Sequence, residues 1–395
     1  MGKLIFNADK IKDMDAFLKI CPFGALSYEN GTVSASAACK MCKLCVKNGP
    51  EGAAVFEEEE KTSVDKSLWN GICVFVDHED GNIHPVTYEL IGKARELAEK
   101  INHKVYCIFM GYDIENAANE LLHYNVDEVF VYDNPKLKHY IPEVYTAVFE
   151  DFINNVRPCA ILVGATTVGR ELAPRVAARF GTGLTADCTI LDMNENTDLV
   201  QIRPAFGGNI MAQICTPNNR PQLATVRYKV MNAPERCENV SGKITVCDID
   251  EAALDTTTEI ISIKPIEKVK TIENADVLVA AGRGVKSKDD LKLLEKLAEL
   301  LGGELACTRP LVEAGWLDAK HQVGLSGRTV RPKLIITCGV SGSVQFAAGM
   351  NNSDFIFAIN KDEKAPIFKT ANYGIVGDIY DIVPKLIEMI EGGKK

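Results

Sequence analysis

The chain has 395 residues, 46 % apolar and 25 % charged, which is ordinary for globular protein and long enough for two or three domains. Its net charge of −10, with no basic run, argues against a nucleic-acid partner. No apolar run approaches the ~20 residues that span a bilayer, MGKLIFNADK has no leader-like apolar core, and thirteen cysteines in so long a chain read as thiols rather than a disulfide scaffold, so a cytoplasmic location without membrane insertion is expected.

Chemistry appears first in chain order. Cys39, Cys42 and Cys45 form a C-x2-C-x2-C run. Bacterial two-cluster ferredoxins continue such a run with x3-Cys-Pro, and that fourth cysteine ligates the other cluster. Here the fourth position is Gly49, still followed by Pro50. Upstream, Cys21-Pro22 stands as the tail of a second copy, whose first three ligand positions, counted in register, are Ile11, Met14 and Phe17. One site has therefore lost its thiolates to apolar residues. Cys21, Cys39, Cys42 and Cys45 remain as ligands for one 4Fe–4S cluster, with zinc as the alternative. The expectation is a ferredoxin-like α+β domain over residues 1–65, ending in the acidic linker Glu57–Lys61. The other cysteines are scattered, mostly in apolar segments, and read as buried thiols.

Strands and helices then alternate. Ile72–Val76 is a short apolar strand. Tyr88, Leu90, Ile91, Ala94, Leu97, Ala98 and Ile101 recur at helical spacing. A strand Val105–Met110, a helix Ala117–His123 and strands Glu128–Tyr132 and Ala160–Val163 follow. Such β-α-β alternation predicts a mainly parallel sheet with helices on its faces. Further strands are expected at Asp187–Leu191, Val200–Arg203, Ile210–Ile214 and Leu223–Tyr228. Thr256–Lys270, polar, threonine-rich and carrying Pro265, reads as a flexible connection. The last segment repeats the theme. A strand Asp276–Ala281 runs into Gly282-Arg283-Gly284 and then a helix with Leu291, Leu294, Leu297 and Leu301 on one face. A strand, a glycine turn and a helix N-terminus make a ready anion site. The full dinucleotide fingerprint needs a third glycine where Ser287 stands, so a plain turn remains the alternative.

Thr308-Arg309-Pro310, Gln322–Gly327, Gly339–Phe346, Phe357–Asp362, Ala365–Phe368 and Ala371–Gly374 then follow on short loops between apolar strands. Each places polar side chains beside residues that let a ligand approach the backbone. With GATTVGRELAPRVAARFGTGLTADC upstream, this series resembles the α subunit of electron-transfer flavoproteins over about residues 68–395. The cysteine-bearing extension resembles α subunits of flavin-based electron-bifurcating complexes, of the caffeyl-CoA reductase or lactate dehydrogenase type.

The resemblance implies two α/β domains with mainly parallel sheets, residues 66–265 contacting a β subunit and residues 266–395 binding FAD. It implies that Arg283 lies at the pyrophosphate end and Arg309 over the isoalloxazine, while Ser326 donates to the reactive ring nitrogen. By that implication Arg309 and Ser326 are the pair that tunes the flavin's reduction. Thr308, Gln322, Val323, Gly324, Gly327, Ser341, Gln345, Asn360 and Asn372 complete the implied FAD set. Leu325 replaces a glutamine, Phe346 a histidine and Asn372 an aspartate; the last two bear on how strongly the site favours negative charge on the flavin. The implied role is relay of electrons through FAD between a β subunit, whose own flavin oxidises NADH, and an acyl-CoA dehydrogenase, with ferredoxin as coupled partner. A lactate dehydrogenase partner, or a non-bifurcating carrier with a structural cluster, is the alternative. The C-terminal domain is expected to swing as a rigid body.

Overall fold

The computed structural model describes residues 3–57, 64–205, 208, 210–240, 242–264 and 271–393. The chain divides into two compact units, Met1–Ser63 and Val64–Lys395.

The first unit runs strand, helix, strand twice over. Lys3–Phe6 pairs antiparallel with Ala54–Glu57, and Leu26–Glu29 with Thr32–Ala35 across an Asn30-Gly31 turn. Both turn residues have positive φ, the geometry that Asn-Gly supplies in a two-residue hairpin. The helices are Met14–Lys19 and Leu44–Asn48. Ile11, Phe17, Val33, Cys45, Ala53 and Ala54 form the buried core, with Met14 packed against it. Ile11, Met14 and Phe17, the three apolar residues singled out in register ahead of Cys21, thus all belong to this packing. Gly49 is closed: a Cβ there would lie 2.4 Å from the Cys45 carbonyl oxygen and 2.8 Å from Phe17 Cε2.

The second unit is mixed α/β with two parallel sheets. In the first sheet seven strands lie in the order Leu184–Cys188, Gln222–Val226, Ala160–Gly164, Ile72–Phe75, Val105–Gly111, Glu128–Asp133 and Lys243–Val246. Along Ile72–Phe75 alternate side chains enter opposite cores. Ile72 and Val74 meet the helix Pro85–Ile101, while Cys73 and Phe75 meet the side covered by Pro142–Val156 and Thr167–Arg179. Both faces are covered, which is why these strands read as unbroken apolar runs. The antiparallel strands Ile190–Met193, Leu199–Ala205 and Ile210–Ile214 form an appendage. The single strand expected at Asp187–Leu191 is thus two. The first strand is bulged at Asp187, whose φ is +57° and whose N–H donates to Thr225 Oγ1, and the two strands part at Thr189.

The second sheet has five strands in the order Glu304–Cys307, Val277–Ala281, Leu334–Cys338, Ile356–Asn360 and Tyr373–Val376. Helices Leu291–Leu300 and Ile379–Gly393 cover one face; Phe346, Met350, Val330 and Ile367 fill the other. Tyr373–Val376 is an edge strand, and all four of its residues are exposed. Residues 256–264 of the expected connection form neither helix nor strand, and Pro265–Lys270 lie outside the described residues. Among the described residues no helix is long and apolar enough to cross a membrane.

Candidate functional site

The second sheet starts with Val277–Ala281, adds Glu304–Cys307 on one side, then returns to add Leu334–Cys338 on the other. Loops leaving the carboxyl ends of neighbouring strands diverge at such a reversal and leave a crevice where ligands bind in open α/β sheets. A cleft of about 810 Å³ occupies that place. Four strand ends supply its walls: Gly282–Gly284, Thr308–Pro310, Gly339–Ser343 and Asn360–Asp362. Gln322–Ser326, Gln345 and Phe346 close it.

Backbone packing sets the floor. Gly282 N–H donates to the Cys338 carbonyl at 2.9 Å and Gly284 N–H to the Gly339 carbonyl at 3.0 Å. A Cβ on Gly282 would lie 2.3 Å from Gly339 O, and one on Gly284 2.6 Å from Gly339 Cα. Two loops meet here at a distance only glycine allows. These bonds also correct the anion-site expectation. The two glycine N–H groups are already engaged, and the helix begins only at Leu291, so positive charge at this turn comes from side chains. Arg283 is exposed and, among the described residues, makes no hydrogen bond or ion pair. Lys286, which sequence reasoning missed, places its ammonium 4.5 Å from the Tyr380 ring centroid. Ser287, in the third-glycine position, exchanges hydrogen bonds with Asp290 ahead of the helix. The Tyr380 hydroxyl and Ser287 hold the Asp290 carboxyl below the usual carboxylate range.

Gln322 is buried, and its Nε2 donates to Ser326 Oγ at 2.9 Å. With that acceptor position filled, the exposed Ser326 hydroxyl keeps its own proton to donate. Asn360 is buried; its Nδ2 donates to the Val340 carbonyl and its Oδ1 accepts from Asp362 N–H, so it braces the adjoining loops. Arg309 lines the cleft, yet its Nε donates to Glu313 Oε1 at 2.8 Å, one turn along a short helix. Burial pushes the Cys307 and Cys338 thiols up to about 12, so neither supplies a thiolate nucleophile.

The structure brings Arg283, Thr308, Arg309, Gln322, Val323, Gly324, Ser326, Ser341, Gln345 and Asn360 to the cleft. It does not bring Gly327 or Asn372 there. Gly327 lines a neighbouring cleft with Arg227 and Arg328. Asn372 Oδ1 accepts from Ile356 N–H at 2.7 Å and serves the edge strand instead.

In the first unit, Cys21, Cys39, Cys42 and Cys45 line one small cavity, and all four are free thiols. Ala25 N–H points at Cys21 Sγ and Met41 N–H at Cys39 Sγ, each at 3.4 Å. Among the described residues no three or more His, Cys, Asp or Glu side chains converge closely enough to hold a single metal ion.

Two family profiles match the chain: the electron transfer flavoprotein domain over residues 72–252 and the electron transfer flavoprotein FAD-binding domain over residues 271–351. Among relatives, the lactate dehydrogenase (NAD(+),ferredoxin) subunit LctC of Acetobacterium woodii is 60 % identical, covering 98 % of this chain and 92 % of its own length. An electron transfer flavoprotein subunit alpha of Thermoanaerobacterium thermosaccharolyticum is 45 % identical, covering 82 % and 98 %. The acryloyl-CoA reductase electron transfer subunit beta of Anaerotignum propionicum is 39 % identical, covering 84 % and 98 %. At 98 % of this chain, the first match takes in most of residues 1–63.

Proposed function

The chain belongs to the electron transfer flavoprotein α-subunit family, and on that premise we propose that it carries electrons through FAD between an NADH-oxidising, bifurcating β subunit and a 2-hydroxy-acid dehydrogenase of the lactate type, with ferredoxin as the coupled partner. The observation that carries the choice of dehydrogenase is the 60 % identity to a lactate dehydrogenase subunit over a span that includes the cysteine-bearing unit. The acryloyl-CoA reductase relative keeps an acyl-CoA dehydrogenase as the second reading, and its match covers only 84 % of this chain. The division into a cluster domain (1–65), a β-subunit-contacting domain (66–265) and an FAD domain (266–395), and the cytoplasmic location, belong to the same proposal.

The cleft suits FAD. Its about 810 Å³ falls in the range of cofactor pockets, roughly 300–1,000 Å³. When bound, FAD supplies the ability to take and pass on electrons one at a time. Arg283 and Lys286 would meet phosphate charge. Ser341, Gln345 and Asn360 would fix orientation by hydrogen bonding. Arg309 and Ser326 would aim positive charge and an O–H donor at the place where electron density arrives, and such preorganised donors act more strongly where water is excluded. Phe346, buried at the cleft wall, excludes water without donating.

The four thiols suit one 4Fe–4S cluster, which would supply a one-electron relay toward ferredoxin. The C-x2-C-x2-C spacing with Cys21, the four thiols lining one small cavity, and backbone N–H groups that point at two of the sulfurs support that cluster. The apolar filling around Phe17 and the closed Gly49 position support a single cluster.

The test is the anaerobically purified complex with its β subunit and candidate dehydrogenases. Expected are one FAD and about four irons on this chain, and 2-hydroxy-acid oxidation that reduces NAD⁺ only with reduced ferredoxin. Near eight irons, or zinc, rejects the cluster reading. Coupling to an enoyl-CoA and not to a 2-oxo acid would establish the second reading instead.

A further inference from the structure

Where the two sheets of residues 64–395 meet, an arginine of the first reaches the loop that carries Ser326. Arg227 follows the strand Gln222–Val226, and its Nη2 donates to the Leu325 carbonyl at 3.2 Å. Leu325 lines the flavin cleft, and its N–H is tied to the Gln345 carbonyl inside the second lobe at 3.0 Å. The first lobe approaches its side chain too: a Cβ on Gly208 would lie 2.6 Å from Leu325 Cδ1.

Charge around this contact is unbalanced. Asp187 sits 3.1 Å from Arg170 and 3.5 Å from Arg227, so one carboxylate serves two guanidinium groups. Arg203 adds a third cation close enough to be felt at Arg227. The Arg227 side chain is only 14 % exposed, and its Nε is buried with no hydrogen-bond partner among the described residues. Burial is the largest influence and lowers the Arg227 pKa; Asp187 opposes it, and Arg170 and Arg203 add to it. A partly desolvated cation with surplus like charge beside it gains most from any negative charge that appears nearby.

We propose that Arg227 is a positioning residue for the flavin: it braces the Gly324–Ser326 loop across the lobe contact and sets surplus positive charge behind it, which raises the potential of the flavin's first reduction while the lobes touch. This rests on the reading of the cleft as the FAD site with Ser326 at the ring. One electron added without a proton puts one unit of negative charge on the ring, and no bond breaks. Linkage then makes the effect reciprocal, so the reduced flavin tightens the lobe contact by the free energy that the contact lends to reduction.

The experiment is a spectroelectrochemical titration of the FAD-loaded heterodimer. Arg227→Gln, Arg227→Lys and Asp187→Asn are compared, with Arg309→Ala as the control that reads the ring. Arg227→Gln is expected to retain FAD and to disfavour first reduction by about tenfold, which is about 59 mV for one electron. Arg227→Lys should recover more than half of that shift. Asp187→Asn, which removes the shared carboxylate and keeps the shape, should shift the potential upward, and it decides the matter if Arg227→Gln fails to fold. An unchanged potential in Arg227→Gln or in Asp187→Asn, while Arg309→Ala still lowers it, overturns the inference alone. So does an equal drop in the lysine and glutamine variants. If Arg309→Ala also leaves the potential unchanged, the reading of the cleft falls with it.

Discussion

Arg309 and Glu313 stand one helical turn apart, and their side chains are 65 % and 59 % exposed. An ion pair that open to water contributes little, typically under about 1 kcal/mol. The guanidinium can therefore leave Glu313 for a cofactor at small cost, and the carboxylate partly neutralises it meanwhile. Two substitutions should then act in opposite directions. Arg309→Ala is expected to lower the flavin's first reduction potential with FAD retained, because a charge-assisted contact of roughly 1.5–3 kcal/mol is lost. Glu313→Gln is expected to raise it by a smaller amount. Potentiometry on both variants checks this, and shifts of the same sign would reject the pairing argument. Residue chemistry at this site was legible from side-chain type: Gln322, Ser326 and Asn360 stood out as polar groups on loops between apolar strands. Their partners were not legible. No local pattern says that Gln322 donates to Ser326, or that Asn372 turns to the Ile356 backbone. Those choices depend on which loops the sheet brings side by side.

Elements show the same division. The floor of the cleft depends on loops in backbone contact, so Gly284→Ala must push Gly339 away from 2.6 Å. Overpacking of this kind costs about 1–3 kcal/mol. The variant should melt earlier and purify with less than stoichiometric FAD, read by thermal denaturation and flavin absorbance; full FAD and an unchanged midpoint would show that the loops can part. Glu89, on the helix Pro85–Ile101, is buried and accepts hydrogen bonds from Lys229 N–H. Burial raises its carboxyl from 4.5 to about 7, while backbone bonds from Lys229 and Met231 pull it down. Between those values the folded chain holds a proton that the unfolded chain has released, so this residue makes stability fall as pH rises through the window. Glu89→Gln should flatten the unfolding free energy between about pH 4.5 and 7, measured by urea titration, and an unchanged slope would count against the assignment. Helices and strands with strong periodicity were legible, as Pro85–Ile101 and Val105–Gly111 show. The helix Pro142–Val156 was missed from the sequence, although Val144, Tyr145, Val148, Phe149, Phe152 and Ile153 recur at helical spacing and are all buried. Lys243–Val246 carries no such signal. It is half polar and becomes a strand because its backbone pairs with Glu128–Val131.

At the scale of the molecule, sequence alternation predicted parallel sheets but not strand order, because order is set by crossovers that leave no local trace. Each sheet first grows on one side of its opening strand and then returns to the other, and the crevice beside the opening strand of the second sheet is the candidate cofactor cleft. Contact between the lobes was equally hidden. Arg331 Nη1 meets Asn232 Oδ1 at 2.7 Å across it. If the FAD lobe swings during turnover, joining Asn232→Cys to Arg331→Cys with a short thiol cross-linker should leave NADH reduction of the β-subunit flavin intact and stop delivery to the dehydrogenase. Delivery at the normal rate in the cross-linked complex would sink the swinging-lobe idea. The exposed edge strand Tyr373–Val376 has its own consequence. Among the described residues no strand pairs with its outer rim, along a stretch where Tyr373, Ile375 and Val376 face solvent. Such a rim is a template for intermolecular strand addition. The isolated chain should therefore scatter light increasingly with concentration and during refolding, whereas Ile375→Lys, which places a charge on that rim, should stay clear at concentrations where the parent chain turns turbid.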